Sequence, residues 1–99
     1  MNNNNVMYLP LGNKRKSNAM ILQKDFEELM SFGISPKWSY HLGHVWVWHN
    51  RRKLPIARLI CDAGKGQKVV LVDKNPLNLK RDNLLLTIGT SKHRTRDFV

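Results

Sequence analysis

Several groups of side chains in this 99-residue chain have the types and spacing to do chemistry. Asp73, followed at once by Lys74, stands at the end of the run Val69-Val70-Leu71-Val72. An ammonium so placed can hold a phosphate. His41, His44 and His49 fall close together, and imidazole suits zinc. Strand alternation separates them, however, His41 to His44 crosses a turn at Gly43, and no Cys or carboxylate stands beside them to complete four ligands. They read as surface histidines of a hairpin. Cys61, between Ile60 and Asp62, reads as a small buried hydrophobe because no histidine is placed to activate it. Gly64-Lys65-Gly66 is too short a glycine pattern for a phosphate-cradling loop. Trp38, Trp46 and Trp48 offer ring faces on which bases stack. Because Trp46 and Trp48 alternate with Val45 and Val47, the strand reads as apolar on both sides, which favours core packing.

Composition narrows the partners. Seventeen Lys+Arg against seven Asp+Glu give a net charge of +10, with a single cysteine. The lone thiol excludes an internal disulfide framework and a cysteine-based zinc site. The polar start, Met1-Asn2-Asn3-Asn4-Asn5, is unlike a secretory signal, and no apolar run approaches the ~18 residues of a membrane span. A cytoplasmic setting follows as the expectation. The charge is uneven: residues 1–50 carry a net +2 and residues 51–99 a net +8. Self-repulsion of that size is offset most simply by a polyanion.

The elements that must position these groups are short. Residues 1–5 read as a disordered tail and residues 6–99 as one domain. Residues 8–12 begin structure, and residues 13–18, with Lys14, Arg15 and Lys16, read as a polar loop. Ala19-Met20-Ile21-Leu22 has strand length. Asp25 followed by Glu28 suggests a capping box, and Phe26, Leu29 and Met30 then mark one face of a helix ending near Gly33. Residues 37–58 read as a β-meander, with turns at Leu42-Gly43 and at His49-Asn50-Arg51-Arg52 and an edge strand at Pro55. Residues 57–61 read as one or two helical turns. Residues 69–72 read as a buried strand, Leu84-Leu85-Leu86-Thr87 as its partner, and residues 90–98 as a short basic helix.

The stretch Val72-Asp73-Lys74-Asn75-Pro76-Leu77-Asn78-Leu79-Lys80-Arg81-Asp82-Asn83-Leu84 resembles the core of phage-type HNH homing endonucleases. In that family a strand ends in Asp-His, and a loop of the kind Asn-Pro-Leu-Asp-Asn-Arg and an Asn-Leu pair follow. Lys37-Trp38 matches a common Lys-Trp pair, and Ile56-Ala57-Arg58-Leu59-Ile60 is similar to a segment usually written Leu-His-Arg-Leu-Ile. Residues 11–26 look like the family's opening strand and acidic helix start, so the likeness spans nearly the whole chain. It implies an α+β fold: an N-terminal strand and short helix, an antiparallel meander, and a C-terminal ββα unit.

The departures fall on the chemistry. The family's general-base histidine is replaced by Lys74, whose ordinary pKa of about 10.4 is far too high for a base. The histidine of the Leu-His-Arg segment is Ala57. The final-helix metal ligand falls on Lys92, with His93 one place later. The resemblance therefore implies a vestigial catalytic set, Asp73, Lys74 and Asn83, with Asn83 bracing the loop. Lys74 and Lys92 would fill the space of Mg²⁺ while still holding a phosphate.

The expected function is non-catalytic binding of double-stranded DNA. Lys74, Lys80, Arg81, Lys92, His93, Arg94 and Arg96 would contact phosphates, with Arg51, Arg52, Lys53 and Arg58 as a second stripe. No cofactor is expected. One alternative is an active Mg²⁺-dependent nuclease or nickase with a relocated base, its metal held by Asp73 and His93. Another is a phage protein whose basic surface binds an acidic host enzyme or defence complex. The resemblance places either activity in a bacterial cytoplasm, near the nucleoid.

Overall fold

A computed structural model describes residues 5–12 and 17–99; the expected tail residues 1–4 and the loop cations Lys14, Arg15 and Lys16 lie outside these. The fold is α+β, with every strand pairing antiparallel to a sequence neighbour. β1 (Val6–Pro10) pairs with β2 (Asn18–Leu22) in the register Tyr8↔Met20. Alternation turns Ala19 and Ile21 of β2 into the core. α1 (Gln23–Ser31) follows without a break. Its N-cap is Leu22, and no side chain caps it. The capping box expected at Asp25 does not form, because Asp25 lies inside the first turn with its carboxylate buried against Arg81. The helix ends as expected at Gly33, whose φ of +82° permits the reversal. Gly33 N–H donates to Met30 O (3.0 Å) and Ile34 N–H to Leu29 O (3.3 Å), a Schellman motif that sets buried Ile34 against buried Leu29.

The meander is β3 (Trp38–His41), β4 (His44–His49) and β5 (Arg52–Pro55), in that order across the sheet. Both connections are two-residue turns with positive φ at each position, Leu42 (51°) with Gly43 (80°) and Asn50 (49°) with Arg51 (63°). That geometry matches the strands' own twist. Pro55 sits on the edge strand, where its missing N–H costs nothing. Trp38, Val45, Val47 and Leu54 face inward. α2 (Ile56–Cys61) adds Ile56, Leu59 and Ile60 to the same core and ends at left-handed Asp62.

β6 (Gln67–Leu71) and β7 (Leu84–Ile88) form the last hairpin, with Leu71↔Leu84. The valine run expected to be a buried strand alternates instead. Val69 and Leu71 turn inward, whereas Val70, Val72 and Leu85 stay exposed, Leu85 at 57%. A two-stranded sheet with nothing covering its outer side has one wet face. The loop between the strands docks on β2: Met20 N–H donates to Leu77 O and Leu79 N–H to Met20 O, both at 2.7 Å, which seats Leu79 in the core.

The expected final helix over residues 90–98 is reduced to one 3₁₀ turn, Thr95–Phe98. Its backbone is occupied elsewhere. Gly89 N–H donates to Gly66 O (2.9 Å), Gly66 N–H to Ser91 O (2.8 Å) and Thr95 N–H to Ala63 O (3.2 Å). These pairings extend the segment along the 63–66 turn, so the ββα unit becomes a hairpin with a 3₁₀ turn. Among the described residues, no helix is long and apolar enough to cross a membrane.

Candidate nucleic-acid interface

At the end of β6 the chain reverses through Lys74, in the left-handed region at φ 62°. Asp73 shapes this loop. Its Oδ1 accepts from Asn75 N–H (2.7 Å) and Asn83 Nδ2 (2.9 Å), and its Oδ2 accepts from Asn78 Nδ2 (2.9 Å). Donation from the Asn78 amide, then from the Asn75 backbone, holds the Asp73 carboxyl below the usual carboxylate range. Asn83 answers with its own Oδ1, which accepts from Asp73 N–H (2.8 Å), while its Nδ2 also reaches Asn78 O (2.9 Å). Asn75 and Asn78 each close a further turn, accepting from Leu77 N–H and Lys80 N–H. Asn78 and Asn83 are buried. The Asp73–Asn83 pair thus has the geometry of a loop brace, and both carboxylate oxygens are already engaged.

Lys74 and Lys92 are not brought together. Lys92 follows Ser91, which pairs with Gly66 at the open end of the hairpin, while Lys74 lies beyond Leu71 at the loop end. The intervening strand alone spans roughly 13 Å. His93 shares the far end with Lys92, its ring edge-on to Phe98 with centroids 5.5 Å apart. The expected convergence of these cations, and of Asp73 with His93, is corrected: it depended on a final helix folding back across the hairpin.

Arginine and lysine divide the positive charge differently from the expectation. Arg58, expected to grip phosphate, is turned inward. Its Nε donates to Thr95 Oγ1 (2.7 Å), Nη1 to Gln67 O (2.6 Å), and Nη2 to Ser91 Oγ and His93 O (both 3.0 Å), with longer bonds to the carbonyls of Ala63 and Gly64. A guanidinium fork can satisfy several converging carbonyls at once, and Arg58 closes the 63–67 turn against the C-terminal segment. Arg81 Nε lies 3.0 Å from buried Asp25. Arg94 meets Asp62 (2.7 Å) and Asp97 (3.3 Å), and hydrogen bonding from Arg94 holds the Asp62 carboxyl low. Arg96 meets Glu28 (2.7 Å) and donates to Leu59 O. Arg52 stacks on Phe98 at 4.0 Å. Among the described residues, the cations outside these bonds are Arg51, at the tip of the β4–β5 turn, and the lysines: Lys24, Lys37, Lys65, Lys68, Lys74 and Lys92 are exposed, and Lys53 and Lys80 are half-buried.

The tryptophans part company. Trp38 lies in the core, as expected, with its indole N–H on Ser35 O (2.8 Å). Trp46 and Trp48 do not: they share the outward face of β4 with His44, and Trp48 is 64% exposed. Alternation explains this, since Val45 and Val47 take the inward positions. His41 and His44 flank one turn on that outer face, while His49 falls on the opposite face, so the three histidines do not converge. Cys61 is half-buried, and burial pushes its thiol up. No family model, curated protein or solved structure matches this chain.

Proposed function

We propose that the protein binds double-stranded DNA without cutting it, through the lysines of its C-terminal half, and that its 72–84 loop is a retired HNH-like motif. One observation carries this reading. Among the described residues every ion pair is made by arginine, and no lysine contacts a carboxylate. Arginine takes Asp25, Glu28, Asp62 and Asp97, and the loop amides take Asp73, so the lysine charge is left facing solvent, where phosphates can take it. Lys65, Lys68, Lys74, Lys80, Lys92 and Arg51 supply about six contacts. The logarithm of duplex affinity should then fall with the logarithm of salt at a slope near −5, and each of Lys74→Met and Lys92→Met should reduce that slope by about 0.9. Affinity that ignores salt, or is absent for any duplex, overturns the reading. The nuclease alternative needs Asp73 and His93 at one metal, and they lie at opposite ends of the hairpin.

A second reading, an acidic host protein as the target, is favoured by the apolar strip beside these lysines. Val70 and Leu85, cross-strand partners beside Lys68, lie open there, Leu85 at 57% exposure, and DNA offers them little. Retention of a defined partner after nuclease treatment distinguishes the two.

A further inference from the structure

The outer face of the meander is a second surface, which meets the last hairpin at a groove lined by His44, Trp46 and Lys68 and carries Trp48 away from it. Trp46 and Trp48 stand two residues apart on β4, about 7 Å along the strand, with rings on the same side. Trp46 is held: its indole N–H donates to His41 O (2.9 Å), His44 meets its ring edge-on at 5.7 Å, and Lys53 Nζ lies 5.2 Å from its centroid. Trp48 is open, and its cross-strand neighbour is Lys53. Beside Trp48 runs a groove of about 630 Å³ lined by Leu9, Pro10, Pro36 and Lys37. The chain contains no Asp or Glu between Glu28 and Asp62, so the whole meander is free of carboxylates while carrying Lys37, Arg51, Arg52 and Lys53.

We infer that this face is a stacking platform for unpaired bases of single-stranded DNA, with Trp48 as the open ring, Trp46 as the rigid one, and Lys53 and Lys37 holding the backbone. Rings presented at strand spacing beside unopposed cations suit a ligand that alternates flat apolar groups with phosphates. Duplex DNA keeps its bases stacked inside and cannot use them. Stacking on Trp48 does not depend on duplex binding; the choice of DNA over RNA rests on the duplex reading.

The test is titration of the full chain with a ten-nucleotide thymidylate strand, followed by tryptophan fluorescence, beside an abasic strand of equal length, oligouridylate and oligoglutamate. Stacking should quench the fluorescence. Trp48→Ala should weaken thymidylate binding by about 5- to 150-fold, Trp48→Phe should restore most of it, and duplex affinity should not change. Since Trp48 is exposed, both variants should unfold at the wild-type temperature. The platform is overturned by an unchanged Trp48→Ala affinity, by an abasic strand that binds equally well, or by oligoglutamate competing on equal terms. A preference for oligouridylate overturns the assignment to DNA. Trp48-dependent binding of thymidylate without any duplex affinity would sink the duplex reading alone.

Discussion

Replacing Arg58 separates the two roles a cation can have in this protein. Its guanidinium makes four well-formed bonds, to Gln67 O (2.6 Å), Thr95 Oγ1 (2.7 Å), Ser91 Oγ (3.0 Å) and His93 O (3.0 Å). At a net of about 1 kcal/mol each, and allowing water to replace the bond on the exposed His93 side, Arg58→Met should cost about 3 kcal/mol. For a chain of this size that is a fall of roughly 10–20 °C in melting temperature. Arg58→Lys should lose about 2 kcal/mol, since an ammonium cannot span carbonyls that lie on both the 63–67 turn and the 91–95 segment. Urea unfolding followed by far-ultraviolet circular dichroism gives the stability, and duplex binding measured where each variant remains folded gives the second quantity. Duplex affinity should be unaltered. A variant within about 0.5 kcal/mol of wild type, or one that keeps its stability but loses duplex affinity, would refute the assignment of Arg58 to the fold.

The loop brace and the acid limb of stability provide two further checks. Asn83→Ala removes three bonds from a buried site and should cost about 2–3 kcal/mol in urea unfolding; Asn83→Asp should be worse at pH 7 than at pH 4, because it sets a second carboxylate against Asp73, and a loss equal at both pH values would argue against the brace. The carboxyls of Asp62 and Asp73 are both held low, by hydrogen bonding from Arg94 and from Asn78 respectively. Each therefore adds stability that is complete above the unfolded-state value of about 3.9 and is lost as pH falls through the lower folded-state value. The urea midpoint should be level from about pH 7 to pH 5 and drop below about pH 4, with Asp73→Asn flattening the acid limb; a midpoint indifferent to acid would contradict both assignments.

The elements that neighbouring residues specify among themselves are legible in the amino-acid sequence. Gly33 ends its helix, Leu42-Gly43 and Asn50-Arg51 turn the meander, and Pro55 marks an edge, because each of these depends only on its own φ or its own missing donor. The features that differ from expectation depend on distant partners. Residues 90–98 carry charge in plenty, but their backbone is claimed by the 63–66 turn, and nothing local announces that pairing. The positions of Val70 and Trp48 depend on which strand faces a second layer covers, and alternation alone leaves that open. The basic excess is visible as a total, but its division is not. That arginine takes the carboxylates and carbonyls while lysine is left to solvent follows from the guanidinium's planar fork, which converging oxygens can satisfy, whereas an ammonium is more strongly hydrated.

The topology also has a kinetic meaning. Among the described residues, all three sheets join sequence neighbours, by two-residue turns in the meander and by the longer 72–83 loop in the last hairpin, so each closes over a modest span. The ties between them are different: Arg58 reaches Thr95 across 37 positions, Arg81 reaches Asp25 across 56, and Arg96 reaches Glu28 across 68. Contacts of that span should form after the hairpins have condensed. Weakening them should speed the unfolding arm of a chevron and leave the refolding arm nearly unmoved. On that outcome the guanidinium groups are late fasteners, setting how long the native state lasts more than how quickly it is found.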